Sequence, residues 1–166
     1  FPSNGASDFM KYKKQIMSKI VSLFYIAIFL VACAKRPSYN DPIPQHETFM
    51  IDSKNLNETR IVNIWYPENY KEGETPLPVL YMPDGGIVNE DFPHIANTLA
   101  RLIADKEIEP MLLVGIQNTD RRRDLTGFSE TLADSIYCPL TDGAKNFRAF
   151  ITEELMPEIS SRYLVT

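Results

Sequence analysis

Cysteine and histidine are scarce in this sequence of 166 residues: Cys33, Cys138, His46 and His94 are all there are. A chain processed at Cys33 keeps Cys138 alone, which rules out an internal disulfide, and no neighbouring residue supplies a base to make that thiol a nucleophile. Neither histidine has a second metal-ligating residue at a useful spacing, and both read as surface residues, so no metal centre is expected. No G-x-G-x-x-G follows a strand and no phosphate loop is present, and neither a dinucleotide nor any other cofactor is implied. A serine elbow of the form G-x-S-x-G is missing too, since Ser129 is followed by Glu130 and lacks the second glycine. Long hydrophobic runs are limited to Ile20–Cys33, which is short for a membrane-crossing helix.

That run follows Lys11, Lys13, Lys14 and Lys19, the layout of a signal peptide. It closes on Leu30-Val31-Ala32-Cys33, which resembles the lipobox of bacterial lipoproteins. The resemblance implies cleavage before Cys33, lipidation of its sulfur and anchoring by acyl chains on the periplasmic or outer side of a bacterial membrane. Met10 and Met17 are both natural starts, so residues 1–9 are read as upstream sequence and 10–33 as the signal peptide. Of 17 basic and 22 acidic residues, 13 and 21 lie from Cys33 onward, a net charge of −8 that argues against a nucleic-acid partner.

Residues 34–45, with three prolines and no periodicity, read as an extended tether. Folding is expected to begin near His46. His46–Asp52 and Thr59–Tyr66 are rich in β-formers and flank Asn55-Leu56-Asn57-Glu58, which predicts an antiparallel hairpin. Leu77–Pro83 and Met111–Ile116 are continuously apolar, as strands buried on both faces are. Between them Phe92, Ile95, Ala96, Leu99, Leu102 and Ile103 recur at helical spacing within 92–108, giving a βαβ unit. Residues 118–140 read as a long loop. Thr141 or Asp142 then caps a helix whose apolar face holds Phe147, Phe150, Ile151, Leu155, Ile159 and Tyr163, with Pro157 expected to kink it. Two antiparallel and two parallel strands with a helix that has nothing beyond it make half a domain, so residues 46–166 read as the N-terminal part of an α/β fold.

Two segments could carry chemistry. Asp84-Gly85-Gly86 ends the first apolar strand, either as a plain exit turn capped by Asp84 or as bare backbone aimed at a carbonyl oxygen that gains negative charge. Arg121-Arg122-Arg123-Asp124 follows the second strand. It is either a solvated loop or, at the carboxyl end of a parallel strand, a site for an anionic substrate.

Over roughly half of the chain, three blocks occur in order: LPVLYMPDGG from Leu77, MLLVGIQNTDRRRDLTGF from Met111 and GAKNFRAFITEELMPEISSRY from Gly143. Together they resemble the putative esterase family of α/β-hydrolases, which includes enterochelin-esterase-like and esterase D-like enzymes. The resemblance implies a strand ending in Asp84-Gly85, an R-x-x-D-L-T string at Arg121–Thr126, and a helix that tolerates Pro157. It also implies a next strand leading to the nucleophile elbow, with Ser, acid and His all beyond Thr166, so no triad residue is assigned here. What carries over is the first half of an oxyanion hole, with Gly85 and Gly86 as candidate backbone donors and Asp84, Arg121, Arg122, Arg123 and Asp124 as substrate-loop candidates. The expected protein is a lipid-anchored serine esterase acting on a small-molecule carboxylic ester, with siderophore esters favoured by the arginines and feruloyl or acetyl esters of polysaccharides as the alternative. A non-catalytic envelope lipoprotein that binds a ligand or partner through residues 118–140 is the competing class.

Overall fold

The hairpin expected from the two β-rich segments forms as β1, Glu47–Ser53, and β2, Glu58–Trp65, in antiparallel register with Glu47 opposite Ile64 and Ser53 opposite Glu58. Asn57 makes the turn possible at φ 53°, a left-handed conformation that asparagine tolerates. The computed structural model describes residue 17 and residues 41–68, 70, 75–136 and 142–166. Two units divide the chain, Phe1–Ser38 and Tyr39–Thr166, and every element described here belongs to the second. The hydrophobic run, Cys33, Cys138 and most of the tether lie outside the described residues. Among the described residues no helix is long and apolar enough to cross a membrane.

The two apolar runs become β3, Val79–Pro83, and β4, Leu112–Ile116, which pair in parallel with helix α1, Phe92–Ala104, between them. β2 pairs with the other side of β4 in antiparallel fashion, so the strand order is β1-β2-β4-β3. β4 is buried along its whole length, which is why it is apolar at every position. Leu112, Val114 and Ile116 face one side and pack with Val62, Ile64, Phe147, Phe150, Leu155 and Ile159. Leu113 faces the other and packs with Trp65 and with Phe92, Ala96 and Leu99 of α1. Each such aliphatic or aromatic side chain contributes about 1.5–3 kcal/mol on burial, which makes this two-sided core the main source of stability.

Two glycines set the closest approaches. A Cβ on Gly115 would stand 2.4 Å from the Phe92 ring, and one on Gly85 would stand 2.3 Å from the Gly115 backbone. Phe92, the end of β4 and the loop after β3 are therefore stacked with no room for a methyl group.

The described part of the expected long loop, residues 118–136, contains more structure than a plain loop. Asp120 accepts a hydrogen bond from the Arg123 N–H at 3.1 Å and caps a short helix α2, Arg121–Leu125, and a 3₁₀ turn follows at Asp134–Ile136. Asp142, rather than Thr141, caps helix α3, Gly143–Ala149, through the Lys145 N–H at 3.2 Å. The interruption expected at Pro157 is taken up as one widened π turn, Phe150–Leu155, which passes into helix α4, Met156–Arg162, without a break. That turn carries Glu154 to the hairpin, where one carboxylate oxygen accepts from the Lys54 and Asn55 N–H groups and from Asn55 Nδ2, each at 3.0 Å. After α4 the chain reaches the free side of β3. There the Leu77 N–H donates to the Leu164 carbonyl at 3.1 Å and the Thr166 N–H donates to the Leu77 carbonyl at 3.0 Å, a parallel bridge between Leu77 and Val165.

Candidate active site

The carboxyl ends of β3 and β4 lie side by side, and the loops that leave them hold nearly all the residues singled out in the sequence. Asp84 turns the chain out of β3 at φ 59°, a conformation that costs most side chains but suits aspartate. Its carboxylate accepts from Asn118 Nδ2 at 2.5 Å and from Arg121 at 2.7 and 3.2 Å, so it clamps the β3 loop to the β4 loop. This contact raises the Arg121 pKa, mainly through the hydrogen bond itself. Asp84 and Arg121, two of the substrate-loop candidates, are thus each other's partners.

The two glycines differ in what their N–H groups do. Gly85 N–H donates to the Ile116 carbonyl at 3.0 Å, extending the β3–β4 ladder, and the Gly85 carbonyl accepts from buried Asn63 Nδ2 at 2.8 Å. Gly85 is therefore held at both ends by the sheet. Gly86 is buried, and its N–H points instead at the Glu90 carboxylate, with the nitrogen 2.6 Å from Oε2. The same carboxylate accepts from the Asn118 N–H, at 3.2 Å to Oε1 and 3.4 Å to Oε2. One backbone donor from each strand end converges on one anionic group. Burial raises the Glu90 pKa, the two backbone donors hold it back, and the nearby Asp84 and Asp91 carboxylates push it further up.

Arg123 and Asp124 turn inward. Asp124 is 1% exposed and forms an ion pair with Arg60, which is fully buried on β2. Arg60 also meets Glu58 at 2.7 Å, and Arg123 meets Glu58 at 2.7 Å and Asp124 at 2.8 Å. The Arg60 guanidinium lies 5.5 Å from the centroid of the Phe147 ring. In this ring of two cations and two anions each charge is met by two of the opposite sign, which compensates for the removal of Arg60 and Asp124 from water. The Arg123 hydrogen bond holds the Glu58 carboxyl below the usual range, and Glu58 in turn raises the Arg123 pKa. These two residues fasten α2 to the sheet. Arg122 stays exposed and donates to the Ile136 carbonyl at 3.3 Å.

The remaining polar candidates are scattered. His46 Nδ1 lies 2.8 Å from the Pro44 carbonyl oxygen, with its ring 5.9 Å from that of Phe92, and His94 Nδ1, in the first turn of α1, lies 2.9 Å from Asp41 Oδ2. Ser129 is buried and donates to the Thr131 carbonyl at 2.9 Å. Among the described residues no group of His, Cys, Asp and Glu is placed to hold a metal ion.

Glu90, Asn118, Asn63 and Arg60 complete the arrangement without having been singled out in the sequence. Arg60 did carry a signal: it lies two residues before Val62 and four before Ile64, on the buried face of its strand, where an arginine demands an acidic partner. Glu90 carried none, because its contacts depend on two loops meeting.

The chain as a whole has counterparts among known proteins. Residues 53–166 match the model of the family described as Putative esterase. The fold resembles that of an IroE-like serine hydrolase from Shewanella oneidensis, at 32% identity and TM-score 0.63, over 73% of this chain and 40% of that one. It also resembles the siderophore hydrolase EstB from Aspergillus nidulans, at 20% identity and TM-score 0.57, over 80% of this chain and 48% of that one. A third likeness is to the enterobactin esterase FES from Shigella flexneri, at 16% identity and TM-score 0.54, over 80% of this chain and 31% of that one. The chain thus spans less than half the length of each of these structures. No match was found among curated protein sequences. The family match covers well over half of the chain and the mixed sheet with flanking helices agrees with it: the chain belongs to the Putative esterase family and has an α/β fold of the hydrolase type.

Proposed function

We propose that this chain is the N-terminal part of a lipid-anchored serine esterase that hydrolyses a small-molecule carboxylic ester. The observation that carries the reading is the Gly86 N–H, which lies at the carboxyl end of β3 and donates at 2.6 Å to a negatively charged oxygen. The oxygen of an ester carbonyl acquires the same charge when a serine attacks it, and a fixed backbone donor stabilises that charge without reorganising. The serine would stand on an elbow after the strand that begins beside Leu77, with the acid and histidine further on. Attack would form an acyl-enzyme and release the alcohol, and water activated by histidine would then release the acid. The likeness to a serine hydrolase at 32% identity supports the nucleophile type. For the substrate we favour siderophore esters over feruloyl or acetyl esters. The exposed guanidiniums of Arg121 and Arg122 at the rim support an anionic substrate, and the fold is shared with proteins named siderophore hydrolase and enterobactin esterase.

Nitrophenyl butyrate turnover tests the reading. The 166-residue chain is expected to be inactive, because the triad lies beyond it, and the protein extended with its downstream sequence is expected to be active. Turnover by the purified 166-residue chain above an empty-vector control contradicts the placement of the triad; an inactive extended protein contradicts the esterase reading. Comparing a triserine catecholate lactone with a feruloyl ester on the extended protein decides the substrate class. Lipidation at Cys33 predicts that Cys33→Ser moves the protein from the membrane fraction to the soluble fraction, and unchanged fractionation sinks it.

A further inference from the structure

Glu90 stands where the proposed chemistry needs an empty position. Its carboxylate takes up the Gly86 N–H at 2.6 Å and the Asn118 N–H at 3.2 Å, and Gly86 is buried beneath it. These donors come from separate strand ends, and Glu90 is what stands nearest to Gly86: a Cβ built there would meet the Glu90 carboxyl carbon at 2.8 Å and its two oxygens at 2.9 and 3.0 Å. A carboxylate oxygen and the oxyanion of an ester under attack make the same demand on an N–H donor, so one displaces the other.

We propose that Glu90 is an internal occupant of the anion position formed by the Gly86 and Asn118 N–H groups, and that an ester binds there only as the Glu90 side chain swings out. This rests on the esterase reading for the identity of the ligand, but the anion position itself does not. Two features ease the release of Glu90. It is half-exposed, and it lies in the six-residue connection Gly85–Glu90 between the Asp84 clamp and the start of the α1 cap, where Val88 and Asn89 are open to solvent. Burial also disfavours its charge, and the charged groups that face it, Asp84 and Asp91, repel it, while Arg121 is engaged by Asp84. While Glu90 is in place the competent population is reduced, and apparent substrate affinity falls by the same fraction.

Acetate is the probe. In wild-type protein it leaves the Gly86 and Asn118 amide resonances unmoved, because the position is filled. In Glu90→Ala both resonances shift saturably with acetate and return toward their wild-type positions, while chloride at equal ionic strength has no such effect. Unresponsive amides in Glu90→Ala, or an equal response to chloride, overturn the proposal. Glu90→Ser provides the second route, since it also removes the carboxylate while leaving both N–H groups and the space above Gly86 as they are. It should show the same acetate response, and its failure to do so counts equally against the proposal. In the extended protein Glu90→Ala should lower KM for nitrophenyl butyrate about tenfold. A fall in kcat with KM unchanged or raised instead makes Glu90 a positioning residue and overturns its role as occupant. An extended protein with no esterase activity refutes the esterase reading alone and leaves the acetate result standing.

Discussion

Arg60 and Asp124, 64 residues apart in sequence, meet as an ion pair in which neither side chain is more than 1% exposed. The pair joins the buried face of β2 to the helix α2 that follows β4, and Arg123 and Glu58 complete it. Asp124→Asn leaves the buried guanidinium with Glu58 as its remaining anion and should cost about 3 kcal/mol, read as a lower urea midpoint at unchanged slope. Replacing both partners in Arg60→Met with Asp124→Leu should recover most of that loss, because no unpaired charge remains. A double variant no more stable than the single one contradicts this account.

Gly85→Ala tests the close stack at the end of β4. Its Cβ would fall 2.3 Å from backbone atoms that cannot give way, whereas the Cβ of Gly86→Ala would meet the movable end of Glu90. We expect a loss of about 2–3 kcal/mol for Gly85→Ala and less than about 1 kcal/mol for Gly86→Ala, by thermal or urea unfolding. Equal losses would show that the backbone near Gly115 relaxes.

Glu154→Ala removes the acceptor shared by the Lys54 and Asn55 N–H groups. Stability should fall by about 1–2 kcal/mol, and hydrogen exchange should accelerate at those two amides more than at the centre of β2. Uniform acceleration across the hairpin would instead mean that Glu154 supports the whole domain.

The acid limb of stability should depend on Glu47 and Glu58. Tyr163 and then Tyr66 donate to Glu47 and lower its pKa, and Arg123 does the same for Glu58. A carboxyl with a depressed folded-state pKa stabilises above its unfolded pKa, and this is lost as pH falls through the folded value. Glu47→Gln should therefore flatten the decline in Tm below about pH 4.5. Glu90, raised by burial, works in the opposite sense: its contribution is lost as pH rises through its folded value, and Glu90→Gln should remove that loss. Parallel Tm curves for wild type and Glu47→Gln would exclude the tyrosine pair as the cause.

The elements whose cause is local could be read from the sequence. Continuous apolarity marks Leu112–Ile116 and the spacing of Phe92, Ala96 and Leu99 marks α1, because each pattern reports burial on faces that the backbone period defines, while β-formers around the turn residues Asn55–Glu58 mark the hairpin. The helix Arg121–Leu125 was hidden because a helix so short draws its stability from Asp124 meeting Arg60 on a distant strand. The same distance explains the arginines. In sequence they form one basic cluster, whereas the fold sends Arg123 inward to Glu58 and leaves Arg121 and Arg122 at the rim. At the site the glycine turn was visible and its occupant was not, since Glu90 acts through the nearness of two loops.

The bridge between Leu77 and Val165 transmits information as well as hydrogen bonds. Leu77 is gripped by Leu164 on one side of Val165 and by Thr166 on the other, which fixes both the direction and the phase of the backbone beside β3. A slip by one residue would exchange the two faces of every later position in a strand continuing from Thr166. The alignment of a single residue pair thus decides which alternate side chains of such a strand turn toward α1 and which toward α4, before any of them has paired.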